Sequence, residues 1–380
     1  MNWPDDFINK IICGDCLEVM KEMPNESIDM VITSPPYWGL RDYGTGPDQL
    51  GLEPTPEVYI EHLTEIFNEV KRVLKREGTL WLNMGDTYNA GRSGGWAGGK
   101  EGFSRPDIAP NQSGVNVGDL QPKCLCMIPE RLAWSLIQNG WILRNKIIWY
   151  KPNAMPSSVT DRFSNRWEYL YMFSKSQRYY FDLDAVREPC SEVSINRAEY
   201  ENRRVEQGKG ISKIGHKSDH YGMPARFVKL DPLGKNPGDV FEINTQPFPE
   251  AHFAVFPEKL CEKPIKAGCP EEVCKKCGKA RERIVEEKRG EAVSSMSITK
   301  ERGNPRKGGD IYHPIIESKT IGWTSCSCGV DFEGGIVLDP FCGAGTALYM
   351  AKEMKRRYIG IDIKEKYCEM ARRRLAQGVL

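Results

Sequence analysis

The sequence predicts an α/β fold organised around a mostly parallel sheet. Three stretches predict it. Residues 10–33 read strand, helix, strand; residues 59–83 read amphipathic helix, then strand; residues 335–375 read strand, glycine turn, helix, strand, helix. Alternation of this kind lays successive strands side by side and covers the sheet with helices.

In chain order, residues 10–13 form a short apolar run ending in Gly14-Asp15, and residues 16–23 have helical spacing through Leu17, Val19 and Met20. Residues 28–33 are an apolar strand that stops at Ser34-Pro35-Pro36-Tyr37. Ile60, Leu63, Ile66, Phe67, Val70, Val73 and Leu74 keep a helical period over 59–74, with Gly78 as the expected stop and 79–83 as the next strand. A helix over 128–139 ends at Gly140, and a strand follows over 141–150. Two polar stretches interrupt the alternation. Residues 85–118 hold nine glycines and read as a long functional loop, with Trp96 and Phe103 as candidate wedges. Residues 191–238 lack clear periodicity; their core, 197–230, has eight Lys/Arg against four Asp/Glu.

Composition narrows the class. The 380 residues carry 53 Lys+Arg and 52 Asp+Glu, a net charge of +1, with 40% hydrophobic and 28% charged residues. That balance excludes a disordered polyelectrolyte and a histone-like DNA wrapper. It leaves room for a local basic surface offset by acids elsewhere. No apolar run is long enough to span a membrane. The start of the chain is polar, with Asp5 and Asp6, and lacks the basic and apolar parts of a signal peptide. An oxidising compartment would leave at least one of the 13 cysteines unpaired, so the expected location is cytoplasmic.

Two turns carry chemistry. Asp339-Pro340-Phe341-Cys342-Gly343-Ala344-Gly345-Thr346 follows a strand and opens a helix, and the next strand ends at Asp362, 23 residues after Asp339. Glycines let backbone amides approach a ligand, and an acid at that distance meets ribose hydroxyls in nucleotide-type folds. With no third glycine and no Lys-Ser/Thr, a phosphate grip is disfavoured; a ligand with a carboxylate, an amine and a ribose, such as S-adenosylmethionine, fits. An isolated Gly-x-Gly fits a plain tight turn as well. In Ser34-Pro35-Pro36-Tyr37, two prolines fix φ and remove two N–H donors. The Ser34 side chain and the Pro35 carbonyl can accept hydrogens from an exocyclic amine, and Tyr37 offers a face for a flipped base. Alone, this segment is equally a proline-stiffened turn.

Together the two turns resemble the amino-methylating DNA methyltransferases, which modify cytosine N4 or adenine N6. The catalytic motif of that family stands here as Ser34–Tyr37 and the cofactor motif as 339–346, about 300 residues later, in the permuted β-class order. Residues 38–43 continue the catalytic motif as in the cytosine-N4-like branch. Residues 148–153, 161–168 and 251–260 resemble further blocks, the last walling the cofactor pocket around Phe256. Gly14-Asp15 resembles the acid near the cofactor's adenine.

The resemblance implies a Rossmann-like S-adenosylmethionine-dependent methyltransferase fold. It implies Ser34, Pro35, Pro36 and Tyr37 as catalytic, and Asp15, Phe256, Asp339, Pro340, Phe341, Gly343, Gly345, Thr346 and Asp362 as cofactor-binding. It implies S-adenosylmethionine as cofactor and double-stranded DNA as partner, and is compatible with a cognate restriction endonuclease acting on the same site. Ser34 favours cytosine N4, with adenine N6 as the alternative; an RNA or small-amine methyltransferase and an inactive DNA-binding module are remoter readings. The expected organisation is 1–190 as the catalytic half, 191–238 as a target-recognition segment, 239–269 with 334–380 as the cofactor half, and 270–333 as an insertion. Candidate DNA contacts in the recognition segment are Arg197, Arg203, Arg204, Lys209, Lys213 and Lys217.

The insertion departs from the family pattern. Cys274 and Cys277 have zinc-ligand spacing, and Cys326 and Cys328 form a second, closer pair, each pair followed by glycine. Four thiolates suit a structural zinc ribbon, with Cys269 able to replace one ligand. Four reduced thiols in a polar loop are the alternative. Core packing is expected for Cys124 and Cys126.

Overall fold

The computed structural model describes residues 1–39, 49–89, 120–206, 230–231, 233–246, 256–289, 293–294, 311–312 and 315–377. Trp96 and Phe103, residues 40–43 after the catalytic turn, residues 207–229 with Lys209, Lys213 and Lys217, and 251–255 lie outside them. The chain divides into two compact units. The first comprises Met1–Asp182, Gly238–Ala280 and Cys328–Leu380; the second comprises Leu183–Pro237 and Arg281–Ser327.

The first unit is built on one sheet. Its strands are β1 (Lys10–Cys13), β2 (Ile28–Thr33), β3 (Leu74–Met84), β4 (Ile142–Tyr150), β5 (Trp167–Ser174), β6 (Val240–Glu242), β7 (Ile336–Asp339) and β8 (Arg357–Asp362). They lie in the order β1-β8-β7-β2-β3-β5-β4-β6. Five of the seven neighbouring pairs are parallel; β5 runs antiparallel to both β3 and β4. Helices α1 (Cys16–Lys21), α2 (Pro56–Val73), α3 (Ile128–Gln138), α4 (Glu258–Gly268), α5 (Thr346–Glu353) and α6 (Glu365–Ala376) complete the unit. This is the mostly parallel, helix-flanked architecture expected from the sequence.

Burial explains the strand order. Every residue of β2 is buried, as a central strand covered on both faces must be. The α2 residues Tyr59, Leu63, Phe67, Val70 and Val73 are fully buried against Met20, Leu80 and Leu132 in one core cluster. Met30, Ile32 and Trp81 on the opposite face pack with Leu260 and Ile265 of α4 and Ala347 and Ala351 of α5. On β5, the alternate residues Trp167, Tyr169, Tyr171 and Phe173 form an edge-on and tilted aromatic ladder with centroids 4.7, 5.2 and 6.0 Å apart.

Two expectations change. Gly78 does not end α2. The helix starts at Pro56, capped by Thr55, and stops at Val73; the chain turns extended at Leu74 and enters β3 at once. A Cβ on Gly78 would sit 2.6 Å from Leu74 Cγ and 2.9 Å from the Asp29 carbonyl, so the glycine serves a close approach inside the sheet. The stretch 191–238 is not wholly irregular: Glu192–Glu206 in the second unit is a helix, with Ala198 buried. The same unit holds an antiparallel pair, Arg283–Arg289 with Ile315–Trp323.

Asp29 is the polar residue that the apolar reading of β2 passes over. It is 5% exposed, its Oδ1 lies 2.6 Å from Lys75 Nζ, and its Oδ2 accepts the Ile336 N–H at 2.8 Å. One carboxylate thus ties β2 to the first residues of both neighbouring strands. Replacing it strands a cation and a buried amide. Asp29→Ala is expected to cost about 2 kcal/mol, typical of a lost charged hydrogen bond. The check is a lowered urea midpoint with an unchanged m-value.

Candidate active site

The Ser34–Tyr37 turn leaves the carboxyl end of β2, the edge where open α/β sheets bind ligands. Its backbone is held from several sides. Tyr59 Oη donates to the Pro36 carbonyl at 2.7 Å, and the Trp38 indole donates to the Glu53 carbonyl at 2.9 Å. Ser34 is half-buried and Pro35 buried. Among the described residues no donor is bonded to the Pro35 carbonyl, so it keeps its acceptor capacity. The Tyr37 hydroxyl turns inward. It is 3.5 Å from Ser34 Oγ, 3.2 Å from Asn83 Oδ1 and 3.0 Å from Glu168 Oε2. Burial first, and the Glu168 charge second, push the phenol well above its ordinary range, so Tyr37 stays protonated and donates. Gly85 lies against this ring: a Cβ there would sit 2.7 Å from Tyr37 Cε2.

The glycine turn leaves the carboxyl end of the adjacent strand β7. Asp339 is 1% exposed; its Oδ1 accepts from Thr33 Oγ1 at 2.6 Å and from the Phe341 N–H at 3.1 Å. Burial raises its pKa from 3.8 to about 7. Both donors converge on one oxygen, which leaves the other to carry the proton. Gly345 has φ +74, and a Cβ there would sit 2.9 Å from Ala371 Cβ, so only glycine can both turn the chain and admit α6. Gly345 also begins α5 without a side-chain cap, leaving that helix end open to a ligand. Thr346 is held by Arg374, whose other nitrogen pairs with Glu258 at 2.6 Å. Phe256 is partly buried against the core beside that helix.

Asp362 ends β8. Its two oxygens accept the Gly343 and Lys364 N–H groups, each at 2.9 Å, and burial raises its pKa. Asp15 follows β1, which pairs with β8 at Cys13↔Asp362; it is exposed and caps α1 through the Glu18 N–H at 3.0 Å. The turn residues of both motifs, Asp15 and Asp362 therefore stand at the ends of β1, β8, β7 and β2, four consecutive strands.

In the sequence, residues 151 and 168 stand out only as members of family-like blocks, and Asn83 only as the end of a strand. In the structure Glu168 pairs with Lys151, and Asn83 Nδ2 donates to Glu168 Oε2 at 3.3 Å and to the Tyr169 carbonyl at 3.0 Å. Lys151 Nζ also sits 4.1 Å from the Trp149 ring centre. The available signal was their position at strand ends beside the catalytic turn, which requires the sheet order to interpret.

Within the first unit, the sulfurs of Cys274, Cys277 and Cys328 lie within 4.8 Å of one another. Cys274 stands on a two-residue strand paired at Phe332, and the Gly278 N–H closes a turn onto the Cys274 carbonyl at 2.8 Å. Gly278 and Gly329 have φ +67 and +64, as turns presenting paired thiols require. Cys269 is not among the three; it is fully buried in the core. Cys126 is buried as expected, but Cys124 is exposed.

Residues 28–274 and 307–373 match the N6/N4 methyltransferase family, described as DNA methylase. The chain is a member of that DNA methylase family. It is 34% identical over 363 residues to the Type II methyltransferase M.XycI of Xanthomonas campestris pv. cyanopsidis, covering 95% of this chain and 86% of that protein. To the Type II methyltransferase M.SmaI of Serratia marcescens it is 32% identical over 366 residues, covering 96% and 90%. Its fold is similar to that of the PvuII DNA methyltransferase (cytosine-N4-specific), with TM-score 0.53 and 15% identity over 97% of this chain and 87% of that one. The DNA methylase thus has the Rossmann-like fold of S-adenosylmethionine-dependent methyltransferases. Among the described residues no helix is long and apolar enough to cross a membrane.

The raised Asp339 pKa has a defined sign in this DNA methylase. Between the ordinary value of 3.8 and about 7 the folded chain keeps a proton that the unfolded chain has released. The stability from this group is therefore complete below the lower value and is lost as pH rises through about 7. The loss is on the order of 4 kcal/mol. Thermal midpoints of wild type and Asp339→Asn across this window test it: the variant is expected to show the flatter dependence.

Proposed function

We propose that this DNA methylase transfers the methyl group of S-adenosylmethionine to the exocyclic amine of a base flipped out of double-stranded DNA, with cytosine N4 favoured over adenine N6. The observation that carries the reading is the adjacency of the two turns, joined by the Thr33–Asp339 hydrogen bond at one sheet edge. The cofactor supplies an electrophilic methyl on a sulfonium. Asp362 carries a carboxylate suited to its ribose hydroxyls, with two acceptor positions already serving backbone amides, and Asp15 lies near its adenine. Residues 339–346 line its tail, and Phe256 packs the wall. The Ser34 hydroxyl and Pro35 carbonyl take the two amine hydrogens and keep the nitrogen lone pair on nitrogen. Tyr37 holds the base. The acceleration comes from positioning and fixed dipoles, with no covalent enzyme intermediate.

Adenine N6 presents the same two-hydrogen amine, so the preference for cytosine rests on Ser34. Nucleoside mass spectrometry of modified DNA decides it: methyladenine without N4-methylcytosine overturns the preference. Ser34→Ala is expected to lower kcat by about 10²-fold, the usual cost of one oriented polar group, while calorimetry finds cofactor affinity unchanged. Asp362→Ala is expected to weaken cofactor binding about tenfold or more. Wild-type activity in both variants would refute the site.

Residues 191–238 are proposed to read the DNA target, supported by the basic excess of 197–230 and the exposed Arg197 and Arg203. The kinship with Type II methyltransferases supports a cognate endonuclease that shares the site.

Zinc is proposed at Cys274, Cys277, Cys326 and Cys328. The three first-unit sulfurs already share one site, and Cys326, two residues before Cys328 in the chain, supplies the fourth thiolate of a closed tetrahedral, structural site. About one zinc per chain is expected by elemental analysis. It should be absent from a Cys274→Ser, Cys277→Ser double variant, with early melting of the cysteine block. A metal-free wild-type preparation overturns it.

A further inference from the structure

We infer that Glu168 is a positioning residue for methyl transfer: through Tyr37 it orients the Ser34 hydroxyl so that a lone pair, and not the hydrogen, faces the incoming amine. The inference rests on the reading of Ser34 as an acceptor.

A serine hydroxyl is ambivalent. It has one hydrogen, two lone pairs and a freely rotating O–H bond. Pointed at an amine, the hydrogen would engage the nitrogen lone pair that must attack the methyl group. The surroundings of Tyr37 remove that ambiguity. An ionised carboxylate only accepts, so Tyr37 Oη, 3.0 Å away, must donate to Glu168. The other neighbour, Asn83, also offers Tyr37 an acceptor, since its amide hydrogens go to Glu168 and to the Tyr169 carbonyl. With its single hydrogen committed, Tyr37 Oη can only accept from Ser34. Ser34 Oγ then donates to it, at 3.5 Å, and turns its lone pairs outward. That bond is long, of the kind that tightens when substrate closes on a site.

Lys151 completes the arrangement. It pairs with Glu168 Oε1 and leaves Oε2 for Tyr37 and Asn83. The pair places a balanced charge beneath the turn, and the direction of the chain Ser34 to Tyr37 to Glu168 follows from it. A hydrogen bond that ends on a charged acceptor is roughly twice as strong as a neutral one and polarises the bonds behind it. The Ser34 oxygen becomes the better acceptor as a result.

The test is a set of variants made in the full chain. Single-turnover transfer of labelled methyl from S-adenosylmethionine to unmethylated plasmid DNA is read alongside cofactor and DNA affinities. Glu168→Gln and Tyr37→Phe are each expected to slow transfer roughly tenfold or more with affinities unchanged. The double variant should be no slower than the slower single, because both break one chain. Glu168→Asp should recover part of the rate. A wild-type rate in Glu168→Gln, or losses that multiply in the double variant, overturns the inference. A second readout needs no turnover. In protein labelled with ¹³Cζ-tyrosine, the resonance missing from Tyr37→Phe should shift in Glu168→Gln; an unmoved resonance overturns the inference. A wild-type chain that methylates no DNA would instead sink the functional reading, and the resonance would still report whether Glu168 holds Tyr37.

Discussion

The hydrogen bond from Thr33 Oγ1 to Asp339 Oδ1 joins residues 306 positions apart, and the site depends on the strand pairing that makes it. β2 and β7 are neighbours and parallel, in register at Met30↔Val337 and Val31↔Leu338. Parallel neighbours deliver their carboxyl ends to the same edge, so the turn after each strand emerges beside the other. The rest of the site obeys the same rule. Asn83 lies near the carboxyl end of β3, and Lys151 follows the carboxyl end of β4. Glu168 is near the start of β5, which reaches that edge only because β5 runs the other way. Topology thus converts residues scattered from 34 to 362 into one row.

Three buried or half-buried acids show how differently the fold treats a carboxylate. Asp29 is compensated by a lysine and a backbone amide. Asp362 is compensated by two backbone amides at the glycine turn and its own strand end, so it shapes the turn. Asp339 has two neutral donors on one oxygen and, among the described residues, no cation partner in a hydrogen bond, and its proton is the consequence. The first is a structural clamp between strands. The other two sit at the carboxyl ends of adjacent parallel strands, the edge where open α/β sheets bind ligands.

Six of the eight strands of the main sheet, all but β5 and β6, and both turns were legible because their signals are local: apolar runs of strand length, helical periods, and proline and glycine at turns. The helix stop was misread because Gly78 looks like a cap, whereas its real role, clearance between Leu74 and the Asp29 carbonyl, exists only once β2 and β3 are paired. Helix Glu192–Glu206 was missed because it is polar nearly all round, with Ala198 among its few buried positions. Asn83, Lys151 and Glu168 were illegible for a related reason. Each is an ordinary polar residue at a strand end, and its meaning is its neighbour. The cysteine pairs were legible by spacing.

The thiols also bear on the chemistry. Cys342 lies inside the glycine turn and Cys261 on α4, and both are buried, with burial first and Asp339 second pushing each well above the ordinary range. Neither is available as a thiolate at neutral pH, so neither can form the covalent adduct that carbon methylation of a base requires. A fixed pair of acceptors, by contrast, needs no ionisation to work. It needs geometry: two prolines that hold a carbonyl, and a hydroxyl whose hydrogen has somewhere else to point. The turn after β2 has both, and the second is supplied by residues on β3 and β5 that never touch the motif in sequence.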